Sequence, residues 1–173
     1  MKCEACELIK SEERIYEDDK FVAVLAKNPA NYGHILVMPK EHYTIIEQVP
    51  DYEIANLGKI LNKLSIALFE SLKIQGTNIF IQNGVAAGQT VPHLIVHIIP
   101  RLENDGINLN WQPRQLSEEE MSTVELLLNE HANKIGEFEN EKPKPISLDK
   151  KREEIKHDKE EENYMIKQLD RIP

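Results

Sequence analysis

Short apolar runs separated by polar turns dominate the N-terminal two thirds of the chain. Runs of this length that are rich in β-branched residues and bounded by turn residues are typical of strands. The strands predicted in this way are residues 15–16, 21–25, 34–39, 78–83 and 93–99, the last of them ended by Pro100. The polar residues 17–20 predict a hairpin between the first two, and residues 84–88 predict a loop between the last two.

A long helix is predicted between the third and fourth strands. Asp51 can cap its start, and apolar residues then recur at three- and four-residue spacing. These residues are Leu57, Ile60, Leu61, Leu64, Leu68 and Leu72. The order of hairpin, strand, helix and hairpin predicts an α+β fold, in which one long helix packs on an antiparallel sheet.

The C-terminal part of the chain has a different pattern. Ser117 can cap a further helix that carries Val124, Leu127 and Leu128. Beyond Gly136 the chain becomes densely charged, so we predict a domain at 1–136 and a charged, partly helical extension at 137–173. The extension is either a solvated helix or partly disordered tail, or a segment that docks on its own domain or on a partner subunit.

Size and charge limit the possible functions. With 173 residues, 40% of them hydrophobic, the chain can build one core of ordinary size. A formal net charge of -9 argues against binding of polymeric nucleic acid, although a small anionic ligand is still compatible with it. We find no apolar run of the length of a signal peptide or a membrane span, and therefore expect a cytoplasmic protein without membrane contact.

The segment 88–101 carries the clearest candidate chemistry. Alternate residues of a strand share a face, so His93, Ile95 and His97 are predicted to point the same way. A single histidine in an apolar strand is more often a hydrogen-bonded core residue than a ligand. Two histidines at this spacing, behind a Gly-Gln loop, favour a site instead.

Two ordered motifs in this chain resemble the histidine-triad superfamily. The first is Gly88-Gln89-Thr90-Val91-Pro92-His93-Leu94-Ile95-Val96-His97-Ile98-Ile99-Pro100-Arg101. The second, upstream, runs from Asn28-Pro29 through Gly33-His34 to Val37-Met38-Pro39-Lys40-Glu41-His42. The resemblance covers roughly residues 1–105 and implies a cleft that binds a purine nucleotide such as AMP.

The resemblance also implies a chemistry and a role for each matching residue. The family transfers or hydrolyses a nucleotidyl group of phosphoramidates or dinucleoside polyphosphates, through a covalent bond between phosphorus and the middle histidine. By this resemblance His97 and Gln89 contact the α-phosphate, Asn83 lines the pocket and His34 orients the cluster from behind. A turn-capping role is the alternative for Asn83 and Gln89.

The sequence departs from the family at two positions. The middle histidine is Ile95, which has no lone pair and carries no proton, so we expect kcat to be lower by about 10⁴- to 10⁶-fold. The Asp or Asn that binds ribose hydroxyls in the family is Ala26 here, three residues before Pro29. Nearby Asn28 could take over the ribose contact.

Cys3 and Cys6 suggest a metal site. A two-residue gap lets two thiolates reach one tetrahedral zinc ion, which two histidines would complete, although one such pair is a weak signal by itself. Zinc-bearing members of the family complete it with the residues that match His42 and His93. The resemblance thus implies a closed, structural zinc site, and free or redox-active cysteines are the alternative.

Three functions are compatible with these observations. The first is a zinc-containing histidine-triad protein that binds nucleotides and is catalytically impaired. The second is a non-enzymatic nucleotide-sensing or protein-interaction module. The third is an active hydrolase that uses His97 or His34 as an unconventional nucleophile. The resemblance also implies a homodimer, formed through the long helix and the sheet.

Overall fold

The computed structural model describes residues 3–10, 14–132 and 135–138. The strands of this part of the chain are β1 (Tyr16–Glu17), β2 (Phe21–Leu25), β3 (Ile35–Pro39), β4 (Gly76–Ile81) and β5 (Val96–Arg101). Its α-helices are α1 (Glu4–Ile9), α2 (Asp51–Leu72) and α3 (Glu118–Ala132). The predicted α+β fold is confirmed, and all described residues belong to one compact unit.

The strands form one antiparallel sheet in the order β1-β2-β3-β5-β4. β5 lies between β3 and β4, so that His97 is paired with Leu36 on one side and with Phe80 on the other. Directly paired residues project to the same face of a sheet. One face therefore carries Leu36, Phe80 and His97 together.

The two faces of the sheet are covered differently. Helix α2 covers one face with Leu57, Ile60, Leu64 and Leu68, each at most 6% exposed. Burying each such side chain contributes about 1.5–3 kcal/mol, so this face holds the main core. The opposite face carries a smaller cluster in which Ala5 of α1 packs with residues of β2 and β3. His97 lies on this second face, away from α2.

The last strand begins and ends later than the sequence predicted. It was expected at 93–99 with Pro100 as its end, whereas it runs from Val96 to Arg101. The strand tolerates Pro100 because the backbone of Pro100 faces the β3 side. Pairing between β5 and β3 ends at the pair of Ile98 with Ile35, so no β3 residue lies opposite Pro100. A missing N–H at that point breaks no ladder bond. His93 and Ile95 consequently lie just before the strand.

The helix ends follow the sequence with small differences. Asp51 is the first residue of α2 and does not cap it, because Pro50 occupies the N-cap position. At α3 the predicted cap is confirmed: the Glu120 N–H donates to Ser117 Oγ, and the Ser117 N–H donates to the Glu120 carboxylate. None of the described helices combines the length and apolar character that a membrane span requires. Residues 139–173, most of the predicted extension, lie outside the described residues.

Candidate functional site

Ile95 lies on the same face of the sheet as His97. It packs against the cluster formed by Ala5, Val22, Val24 and Met38. Leu36, the strand partner of His97, packs against the same cluster. Ile95, which the sequence resemblance predicts at the position of the nucleophile, is therefore on the His97 face and half-buried in a hydrocarbon environment.

A chain of hydrogen bonds fixes the proton positions of two histidines. The Ala30 N–H donates to His34 Nδ1 over 3.1 Å. Neutral His34 therefore carries its proton on Nε2, which lies 3.1 Å from His97 Nδ1 and donates to it. His97 Nδ1 is the acceptor, so the single proton of neutral His97 is on Nε2. We call the Ala30, His34 and His97 series the histidine relay.

Burial keeps the relay neutral. His34 is only 6% exposed, and its burial, with a smaller effect of His97, lowers its pKa to about 4. Burial also lowers the pKa of His97. The His97 ring is stacked on Phe80, with centroids 5.2 Å apart and planes 12° apart. Both rings are thus uncharged at neutral pH, and His97 is held in one orientation.

The relay defines what His97 can do chemically. Its Nδ1 lone pair is already used, and its Nε2 presents an N–H group. Such a group is a hydrogen-bond donor that could hold an oxygen of a phosphate. It is not a nucleophile in this protonation state, because no nitrogen lone pair is left to attack phosphorus.

The amide of Gln89 is engaged with backbone groups of its own loop and of the segment between β3 and α2. Its Nε2 lies 2.8 Å from the Thr44 carbonyl and 2.9 Å from the Val91 carbonyl, while its Oε1 accepts from the Gly84 N–H at 2.8 Å. Both N–H groups are therefore donated to backbone. This geometry supports the alternative role of Gln89 as a brace of the loop and leaves no side-chain donor for a phosphate.

Asn83 is braced in a similar way, and Asn28 is set apart. Asn83 Oδ1 accepts from the Ile46 N–H at 3.0 Å, and its Nδ2 lies 2.8 Å from both carboxylate oxygens of Glu47. It thus ties the end of β4 to the turn before α2, which also fits the structural alternative. Asn28 is exposed in the turn between β2 and β3. Ala26 supplies a backbone N–H to the His34 carbonyl at 2.9 Å.

Cys3, Cys6, His42 and His93 come together as one cluster, with potential ligand atoms all within 4.8 Å of one another. The two imidazole Nδ1 atoms are 3.2 Å apart. Cys6 Sγ lies 3.4 Å from His42 Nδ1 and 3.5 Å from His93 Nδ1, and Cys3 Sγ lies 3.7 Å from His93 Nδ1. These residues could hold a metal ion.

Four of the six distances between the potential ligand atoms fit a tetrahedral zinc ion. Bond lengths of about 2.05 Å to nitrogen and about 2.3 Å to sulfur give edges of about 3.3 Å for N···N and about 3.6 Å for S···N. The observed 3.2 Å and 3.4–3.7 Å match these edges. In addition, His93 Nε2 donates to the Pro39 carbonyl at 2.9 Å, which leaves Nδ1 unprotonated and aimed at the cluster. We call these four residues the metal cluster.

Three contributors to the site were missed by sequence reasoning. Phe80 stacks on His97 from a neighbouring strand, and pairing between strands cannot be read from one sequence. The backbone N–H of Ala30 leaves no trace in residue type. Gly88 has φ of +87°, and a Cβ there would lie 2.7 Å from Gln82 Nε2, so its glycine was the one available signal for this tight approach.

The fold, the relay and the motif around His97 together define a class of protein. The family model described as HIT domain matches residues 9–104, more than half of the chain. The chain belongs to the HIT family.

Individual relatives extend this assignment. An uncharacterised HIT-like protein from Methanocaldococcus jannaschii is 42% identical over 107 residues, which cover 60% of this chain and 82% of the relative. Adenylylsulfatase HINT3 from Arabidopsis thaliana is 36% identical over 106 residues, covering 60% of this chain and 54% of that protein. The crystal structure of a Zn-bound histidine triad family protein from Mycobacterium smegmatis superposes with a TM-score of 0.58 at 31% identity, covering 77% of this chain and 97% of that chain.

Proposed function

We propose that this chain binds a purine nucleoside monophosphate, such as AMP or a conjugate of AMP, and has lost most of the nucleotidyl transfer chemistry of its family. The observation that carries the proposal is the intact histidine relay beside a hydrocarbon at residue 95. The relay supplies a fixed N–H donor for a phosphate oxygen. The side chain of Ile95 cannot supply the nucleophile.

The family and one relative support the class of ligand. Adenylylsulfatase HINT3 of Arabidopsis thaliana is named for action on an adenylyl conjugate. Adenosine phosphoramidate and diadenosine polyphosphates share the same adenylyl half with a different leaving group. The neutral rings of buried His34 and half-buried His97 suit a phosphate held by N–H donors without a full positive charge.

The impaired step is the formation of the covalent intermediate. In that step an imidazole lone pair attacks phosphorus, the bond to the leaving group breaks, and the leaving group departs with the electron pair. Ile95 offers no lone pair, and the lone pairs of the relay are engaged with the Ala30 N–H and the His34 N–H. The relay therefore argues against His97 or His34 as a replacement nucleophile.

We further assign a structural zinc ion to the metal cluster. Four protein ligands close the coordination sphere, so the metal would join the N-terminal segment to the sheet and would not activate water. The Zn-bound relative from Mycobacterium smegmatis supports this choice of metal. We expect one zinc ion per chain by elemental analysis.

A second copy of the chain is the partner that the surface supports. Ile66 and Phe69 of α2 and Ile79 of β4 are each more than 40% exposed, and Ser65 links the two elements through its hydroxyl 3.2 Å from that of Thr77. Within the described sheet β4 is an edge strand, which can pair with another strand. Sedimentation of the full chain should give the mass of a homodimer, and a monomer at micromolar concentration would contradict this.

The central test is calorimetry with AMP, adenosine and inorganic phosphate, together with turnover of adenosine phosphoramidate. We expect the unaltered chain to bind AMP more tightly than either fragment and to hydrolyse the phosphoramidate at close to the uncatalysed rate. His97→Ala should weaken AMP binding because it removes the donor of the relay, whereas His131→Ala, on exposed α3, is the matched control. Absence of AMP binding, or efficient turnover, would contradict the proposal.

A non-enzymatic nucleotide-sensing module is the second candidate. It is favoured by the same combination of an ordered donor and a missing nucleophile, because a sensor needs binding without destruction of its ligand. The two candidates differ in what a histidine at residue 95 does. Tight AMP binding with no gain of turnover in Ile95→His favours the sensor.

A further inference from the structure

Helix α1 and the position of the family nucleophile belong to one apolar cluster. Ala5, only 1% exposed, packs with Val22, Val24 and Met38. Leu8 and Ile9 of α1 pack against this cluster from one side, and Leu36 and Ile95 also contact it. Helix α1 therefore lies on the face of the sheet that carries His97 and shares one apolar cluster with Leu36 and Ile95.

Helix α1 is too short to be stable without external contacts. It has six residues, and isolated helices of fewer than about 12–15 residues are marginal in water. Its N-cap residue, Cys3, makes no side-chain capping hydrogen bond. Beyond its apolar contacts, α1 is tied to the domain through Cys3 and Cys6, whose sulfurs face His42 and His93.

His93 connects the metal cluster with the loop and strand of the proposed cleft. Its Nδ1 faces the two cysteines, and its carbonyl lies 3.3 Å from Gln89 Nε2. Ile95 follows two residues later. A change at the cluster can therefore reach the cleft by two routes, through the position of α1 and through the loop that Gln89 braces.

We propose that the metal cluster holds α1 in place as a wall of the nucleotide cleft, so that nucleotide affinity depends on metal occupancy although the metal ligands do not bind the nucleotide. This inference rests on the proposed nucleotide-binding function and adds its regulation. Loss of the metal would free α1 and expose Val22, Val24 and Leu36 on one side of the cleft. By linkage, nucleotide binding would strengthen metal binding by the same factor.

The first experiment compares the full chain loaded with zinc and the same chain stripped by a chelator. Hydrogen exchange followed by mass spectrometry should show exchange in residues 4–9 faster by at least about tenfold in the stripped protein, while residues 57–68 of α2 remain protected. Calorimetry should show AMP affinity lower by about tenfold after stripping, a typical coupling between linked sites. Zinc affinity, measured by chelator competition, should rise about tenfold in the presence of AMP.

A variant of α1 tests the packing of the helix independently of metal binding. Leu8→Asp places a carboxylate against the apolar cluster without changing any of the four ligands. We expect it to retain one zinc ion per chain and to lose AMP affinity by about tenfold. Glu7→Gln, exposed on the same helix, is the matched control and should behave as the unaltered chain.

The outcomes distinguish this inference from the function on which it rests. Absence of AMP binding in the zinc-loaded chain would overturn both. AMP binding that is equal in the loaded and stripped chains, or exchange in residues 4–9 that does not change on stripping, would overturn the inference alone. Normal AMP affinity in Leu8→Asp would also overturn it, because α1 would then not act as a wall.

Discussion

The metal cluster and the histidine relay lie on the same side of the sheet. The family resemblance implies a role for each, and only the metal cluster has every residue that its role requires. The metal cluster has four residues of the types that bind zinc, with potential ligand atoms all within 4.8 Å of one another. The relay has a complete series of hydrogen bonds, whereas Ile95, which the sequence resemblance places at the position of the nucleophile, is a hydrocarbon. His93 belongs to the first region, and Ile95 and His97 follow it at intervals of two residues.

The comparison of the two regions distinguishes side chains that are required for folding from a side chain that is required only for chemistry. With a metal ion bound, a residue of the metal cluster would contribute to folding, since removing one ligand would weaken the link between the N-terminal segment and the sheet. The residue at position 95 contributes to folding only through its volume, which an isoleucine fills by packing against the apolar cluster. Its chemical role can therefore be lost while the fold and the donors around it remain.

The largest effect should come from restoring the nucleophile. Ile95→His places an imidazole beside His97 and should raise kcat for adenosine phosphoramidate by on the order of 10⁴-fold, the reverse of a nucleophile deletion. Single-turnover kinetics with trapping of a nucleotidyl-protein adduct would measure this gain. Ile95→Gln, polar but not nucleophilic, is the control and should remain at background. Equal rates in both variants would show that position 95 does not attack phosphorus.

A smaller effect is expected from removing one ligand of the metal cluster. His42 is exposed, so His42→Gln removes a ligand without leaving a buried cavity. At zinc concentrations about a thousandfold above Kd, the loss of binding should lower the free energy of unfolding by about 4 kcal/mol. Denaturant titration with and without zinc measures this difference.

The control for that prediction is the chelated protein. Without zinc, His42→Gln and the unaltered chain should be equally stable, because the substitution then removes nothing that contributes to folding. A stability difference that persists in chelator would show that His42 acts through packing and not through metal.

Much of the fold followed from local patterns, whereas the details of the site depended on contacts between strands. The spacing of apolar residues predicted α2, and short apolar runs predicted all five described strands, although the fourth runs from Gly76 to Ile81 and was expected at 78–83. The beginning of β5 was misplaced by three residues, since the sequence does not reveal where β3 stops pairing. Pro100 was likewise predicted to end β5 and instead lies inside it, because the sequence does not show that pairing with β3 ends before Pro100.

The sequence predicted which residues belong to the candidate site better than it predicted what each of them does there. The spacing of Cys3 and Cys6 was a weak signal for a metal site, and only the family resemblance added His42 and His93, which the structure brings together with the two cysteines. Two of the partners of Gln89 and Asn83, the Thr44 carbonyl and the Ile46 N–H, could not be identified from the sequence, since they belong to a turn that is distant along the chain. The direction of the histidine relay likewise depends on a backbone N–H, that of Ala30.

The relay should make stability depend on pH. Folded His34 accepts a proton only near its lowered pKa of about 4, whereas the unfolded chain accepts one near pH 6.5, so acid favours the unfolded state between these values. The free energy of unfolding should fall by up to about 3 kcal/mol from this group between pH 6.5 and pH 4, with nothing further lost from it below pH 4. Denaturant titrations across this range measure the slope.

His34→Gln separates this effect from acid loss of metal. Both proteins contain the same metal cluster, so the difference between their pH slopes reports His34 alone. The variant should have the shallower slope between pH 6.5 and pH 4. Identical slopes would indicate that His34 is protonated in the folded chain as readily as in the unfolded one.

The smallest effect concerns the second departure from the family, at Ala26. Its N–H donates to the His34 carbonyl, which places residue 26 at the edge of the histidine relay. Ala26→Asp would supply a carboxylate that accepts hydrogen bonds from ribose hydroxyls, and AMP affinity should rise by about tenfold, or about 1.4 kcal/mol. Calorimetry with AMP and with its 2′-deoxy form tests the cause, because most of the gain requires both hydroxyls. Ala26→Val should show no gain with either ligand, and an equal gain for both ligands in Ala26→Asp would mean that the carboxylate acts elsewhere than on the ribose.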